Sequence, residues 1–127
     1  NFIAINKEPI DENIGLKLPF FPKREDFFEN VDPEKLISIK GNLVELKNSP
    51  SKDFFLGKIN GEQSPEPNWE LTHKKLKFGI SEIGDFKLQK FNLWGCNHVI
   101  SPEMFFEINL APHQEVSWSR KYIFTNF

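Results

Sequence analysis

Asp85-Phe86-Lys87-Leu88-Gln89-Lys90-Phe91-Asn92-Leu93-Trp94 sets apolar and polar residues in near alternation. That two-residue period belongs to a strand with one face buried. A slip where Gln89 and Lys90 stand together reads as a bulge. The same period recurs on both sides. Residues 74–80 send Leu76, Phe78 and Ile80 to one face, and residues 115–127 do so with Val116 and Trp118, then Tyr122 and Phe124. Residues 104–110 read as a further strand and residues 2–6 as an edge strand. Residues 35–39 and 42–46 flank Gly41 as a hairpin or a kinked pair.

Turn-forming clusters at 7–13, 48–52 and 60–68 separate these runs. The last is the longest and, being rich in Pro, Gly and charge, the one expected to be mobile. Helical periodicity is missing; only Asp32-Pro33-Glu34-Lys35-Leu36 suits one helical turn, with Asp32 capping and Pro33 at the first position. Short strands at about ten-residue spacing, with turns between, predict an all-β fold, an antiparallel β-sandwich. At least seven strands are expected, and no helix longer than about three turns. Neither a repeat nor a linker divides residues 1–127, which read as a single β-sandwich domain.

Composition narrows the function classes. The chain holds 14 Phe among 127 residues, enough aromatic bulk to build a core despite an apolar share of 39%. Sixteen basic and 18 acidic residues give a net charge of −2, and the lysines alternate with carboxylates along the chain. That pattern suits a solvated surface and not a nucleic-acid groove, which needs cations gathered on one face. The apolar runs are far shorter than the roughly 20 residues that span a bilayer. Cys96 is the single cysteine, which excludes an intramolecular disulfide and leans toward a reducing, cytoplasmic setting. The chain begins at Asn1 and not Met, and so reads as a processed or excised piece.

Motifs for phosphate loops, nucleophile elbows and cysteine pairs are missing, and His73, His98 and His113 lack any zinc spacing. No metal and no cofactor is expected. Cys96 and His98 are two residues apart, whereas catalytic dyads usually come from separate elements; a half-buried cysteine in a loop is the plainer reading. The informative stretch is Phe91-Asn-Leu-Trp-Gly-Cys-Asn-His-Val-Ile-Ser-Pro-Glu-Met-Phe-Phe-Glu107. It gathers an aromatic plate, Trp94, and two titratable groups, His98 and Glu103, around one loop. Sugars are held this way, by apolar C–H faces on rings and hydroxyls on carboxylates and imidazoles. On residues alone the plainer reading is a core tryptophan, a turn histidine and a solvated strand-end glutamate. Arg120, one of two arginines with Arg24, could grip an acidic substrate group or form a strand-surface salt bridge. Trp69, just after the long loop, is a second sugar platform or a core or rim aromatic.

Three ordered motifs add to this: Ser101-Pro-Glu-Met104, then Leu110-Ala-Pro-His-Gln-Glu115, then Trp118-Ser-Arg-Lys-Tyr-Ile-Phe124. Upstream stands Gly15-Leu-Lys-Leu-Pro-Phe-Phe21. In order and spacing the segment resembles the C-terminal portion of the galactose mutarotase-like (aldose 1-epimerase) superfamily. The resemblance implies that the sandwich is part of a larger supersandwich and that the ligand is a sugar or oligosaccharide. It also implies an isomerase chemistry of anomer exchange without a cofactor, in which one group takes the anomeric proton and another protonates the ring oxygen. Glu103 then stands as the base. Leu18 occupies the place of the general-acid histidine, leaving His98 or His73 as substitute acid, though neither stands at a matching position, and Trp94, Trp69 and Arg120 are the candidate substrate-binding residues. His113 replaces a usual glycine, and Pro102 and Glu103 stand in reversed order. The expected function is a mutarotase-like carbohydrate-binding protein with impaired catalysis. The alternative is a non-catalytic accessory sandwich module that binds a polysaccharide or a protein partner.

Overall fold

A computed structural model describes residues 2–3, 7–23, 27–61 and 66–127. Among them are eleven strands and one helical turn, and every strand pairing is antiparallel. The strands form two sheets. One has five strands in the order β1 (Phe2–Ile3), β10 (Val99–Phe105), β9 (Lys90–Cys96), β6 (Phe55–Ile59) and β3 (Phe27–Glu29). The other has six, in the order β11 (Arg120–Asn126), β8 (Phe78–Gly84), β7 (Asn68–His73), β2 (Ile14–Lys17), β5 (Leu43–Leu46) and β4 (Ile37–Lys40). The protein is therefore an antiparallel β-sandwich.

The core lies between the sheets and is one cluster, with Leu16, Leu18, Phe55, Trp69, Phe91, Leu93 and Ile100 the most deeply buried. Aromatic bulk does what composition requires of it. Phe20 meets Phe91 edge to face at 6.0 Å, and Phe28 stacks on Phe55 at 6.5 Å. The helical turn α1 (Pro33–Leu36) forms as its sequence demands: Asp32 accepts the Glu34 N–H at 3.0 Å, and Pro33 opens the turn. Gly41 closes the β4–β5 hairpin at φ 63°, a backbone region that favours glycine.

The structure moves several boundaries. The slip at Gln89–Lys90 is not a bulge: β8 ends at Gly84 in one sheet and β9 starts at Lys90 in the other, so the interruption is the crossover between sheets. Residues 74–77 make the β7–β8 turn, which takes Leu76 out of the strand expected there. The strand expected at 104–110 lies earlier, as β10. Its Pro102 pairs with Leu93 of β9 and cannot donate to that strand, so its nitrogen must face β1, whose pairing reaches no further than Ile100. Residues 106–119 carry no regular structure, and the closing strand starts only at Arg120. β6 and β7 appear where no alternation announced them. Of the expected edge strand, Phe2–Ile3 is present and residues 4–6 lie outside the described residues, as do Arg24 and residues 62–65 of the long loop.

Candidate functional site

β9 is central in the five-stranded sheet, between β10 and β6. Its odd-numbered residues Phe91 and Leu93 enter the core, so Asn92 and Trp94 project from the opposite, outer face. Register places Trp94 between Ser101 and Leu56, and Asn92 between Glu103 and Lys58, all on that outer face. Trp94 and Glu103 are thus diagonal neighbours across the β9–β10 pair, about 7–8 Å apart at the backbone. Trp94 is half-buried and stacks on exposed Phe54 at 6.3 Å and 19°, which widens the aromatic plate. The Ser101 hydroxyl donates to Glu103 Oε1 at 3.4 Å. Asn92 is only 7% exposed, and its Oδ1 is buried without a partner. An unpaired buried acceptor costs about 1–3 kcal/mol.

His98 sits apart, in the β9–β10 turn. Its Nδ1 lies 3.3 Å from Cys96 Sγ and 2.9 Å from Asn97 Oδ1, so it can accept from the thiol or donate to the amide oxygen, one at a time. Cys96 and His98 do meet despite their adjacent spacing, but the cysteine is the buried last residue of β9. Glu103 stands five positions beyond His98, roughly 17 Å along the strand at 3.4 Å per residue. The two cannot act on neighbouring atoms of one sugar ring, which removes His98 as the partner acid. Leu18 does not help: it is 1% exposed in the core, on the other side of the five-stranded sheet from Glu103.

Trp69 and Arg120 also leave the expected site. Trp69 is 2% exposed and cannot be a platform; its indole N–H donates to Glu82 Oε2 at 2.8 Å. Glu82, equally buried, takes the Arg120 guanidinium on Oε1 at 2.5 Å. Arg120 further donates to the Met104 carbonyl of the facing sheet at 3.3 Å and lies 4.9 Å over the Phe86 ring. This is a structural tie between the sheets, with every charge paired as burial requires. Arg120 forms the expected salt bridge, but with a buried acid and not at a strand surface.

Asn92, Ser101 and Phe54 are the site residues the sequence did not single out. A polar residue between Phe91 and Leu93 looks like any outward strand position, and Phe54 is hidden by its doublet with Phe55. The face presents a half-open ring plate and the half-buried Glu103 carboxylate, with Ser101 and Asn92 buried beneath at 4% and 7% exposure, which suits a ligand with a C–H face and a hydroxyl. Among the described residues no three His, Cys, Asp or Glu side chains gather to hold a metal ion, and no helix is long and apolar enough to cross a membrane. No family model, curated protein or solved structure matches the chain.

Proposed function

We propose that the protein binds a hexose or short oligosaccharide on the outer face of its five-stranded sheet, as a mutarotase-like sugar binder that does not turn the sugar over. The observation that carries this reading is the half-open Trp94 ring, stacked on Phe54, diagonal to the half-buried Glu103 carboxylate across the β9–β10 pair. The ring accepts the apolar side of a pyranose, while Glu103 accepts its hydroxyls. Anomer exchange needs both a base and an acid; the other carboxylate that the register puts on this face, Glu29, stands on the edge strand β3, three strands away from Glu103. Binding on an open sheet face is weak, near a Kd of about 1 mM, or roughly −4 kcal/mol.

Tryptophan fluorescence with galactose, glucose and their short oligomers tests the reading. A saturable change that Trp94→Ala removes and Glu103→Gln weakens is the expected result. An unchanged spectrum across the panel at high millimolar sugar refutes it.

A second reading, an accessory module that engages a protein, is favoured by a separate observation. Eleven large hydrophobic residues are exposed among the described ones, and eight of them fall between Phe105 and Phe127. Four of them, Ile108, Leu110, Val116 and Trp118, line one cleft, and clustered exposed apolar residues mark interaction surfaces.

A further inference from the structure

We propose that β11 is a dimerisation edge, at which two copies of this chain pair their β11 strands antiparallel about a two-fold axis at Ile123. The inference is independent of sugar binding, which uses the other sheet.

β11 is seven residues long, stands at the end of the six-stranded sheet and pairs, among the described residues, with β8 alone. Its outer edge therefore presents backbone donors and acceptors ready for another strand. Natural edges are usually guarded by proline, bulges, shortness or inward charges. From Tyr122 onward β11 has none of these: its register with β8 is unbroken, and its two charges, Arg120 and Lys121, are confined to its start. Arg120 is already held by Glu82.

The core-facing side is open as well. Tyr122 and Phe124 pair with Glu82 and Ile80, both buried, and so point to the same side of the sheet. Yet Tyr122 is 46% and Phe124 66% exposed. The core layer thus continues to the last strand, where it loses its cover.

A second copy fits this strand because the strand is complementary to itself. With the axis at Ile123, Tyr122 faces Phe124, Lys121 faces Thr125 and Arg120 faces Asn126. Two aromatic pairs form on the core side, and no like charges oppose one another. Trp118, Phe127, Tyr122 and Phe124 are each about half to two-thirds open. At roughly 100 Å² per ring they supply about 400 Å², half of the ~800 Å² that each partner of a standard interface contributes. Paired backbone, with Ile123 and the exposed Ile83 on the outer face, makes up the remainder. The pairing creates one continuous twelve-stranded sheet, two sets of the six observed.

Sedimentation equilibrium from low to high micromolar concentration, with circular dichroism on each variant to verify folding, tests the proposal. The wild-type mass should rise from one chain to two and stop there. Thr125→Glu sets a carboxylate opposite the partner's Lys121 twice, and should tighten the dimer roughly 3- to 10-fold. Thr125→Lys should loosen it by a similar factor, and Phe124→Lys should leave a folded monomer. A monomer at every concentration overturns the proposal. So does open-ended assembly, or a pair of Thr125 variants that associate alike.

Discussion

Glu82 is buried and charged, and its two oxygens are each spoken for: Trp69 donates to one and Arg120 to the other. Removing the cation strands a carboxylate in the core, which typically costs far more than the intact pair contributes. Arg120→Met should therefore destabilise the fold by about 3 kcal/mol, and adding Glu82→Gln should recover part of that loss, as read by chemical denaturation. A loss of only a few tenths would mean the pair is wet. The triad also explains why two site expectations failed. Glu82 is thirteen residues from Trp69 and 38 from Arg120, so nothing local to either residue reveals that both are occupied. Trp94 and Glu103 were legible because they lie on neighbouring strands of one hairpin, where register follows from the turn. Asn92 was not, because an unpartnered oxygen is a property of its surroundings and not of its residue type.

The segment 106–119 between β10 and β11 is held at its end by Asp85, whose carboxylate accepts the Ser119 N–H at 2.8 Å and the Ser119 hydroxyl at 2.9 Å. It is buttressed inside by Phe106, which stacks on Phe86 at 4.3 Å and meets Trp118 edge-on at 5.1 Å. The Ser119 backbone bond, then its hydroxyl bond, hold the Asp85 carboxyl below its ordinary value of 3.8. A lowered pKa means the tie is complete above that ordinary value and is lost as pH falls through the lowered one. The Ser119 amide resonance should therefore shift upfield on acidification below about pH 4, and Asp85→Ala should produce that shift at neutral pH. An Asp85→Ala spectrum with Ser119 unmoved would break this account. Glu45 follows the same sign, its carboxyl lowered by the Lys74 and Lys40 ammonium groups that it bridges. At this scale the sequence was readable where apolar and polar residues alternate between a buried and a more open face, as in β4 and β5; β9 is largely covered on both sides and was read from Phe91 and Leu93 alone. It misled at Lys74–Lys77, where Leu76 keeps the alternation going into a turn. It misled again at Gln89–Lys90, where a change of sheet looks the same as a bulge.

At the scale of the molecule, an aromatic core lies between two antiparallel sheets, and on the outer face of β9 and β10 Trp94 and Glu103 are the half-open side chains, with Asn92 and Ser101 buried beside them. Beside Trp94 that face has one carboxylate, Glu103, with Glu29 three strands away from it, and Leu18, where the proposed resemblance would call for an acid, lies in the core. Loss of one proton-transfer partner removes about 10²- to 10⁴-fold of rate. Polarimetry of freshly dissolved α-glucose or α-galactose should thus show no acceleration above buffer; a rate that Glu103→Gln abolishes would make the protein an epimerase with another acid. The sandwich itself was legible because period-2 patterning and aromatic content both reflect the core, while the site depends on which outward residues end up side by side. A chemical-shift titration with a galacto- or gluco-oligosaccharide reads that juxtaposition directly. The account predicts that the Trp94 indole, the Asn92 side-chain amide and the Ser101 backbone amide move together and saturate, while the Trp69 indole stays still. Shifts confined to another surface, or none at high millimolar sugar, would contradict it.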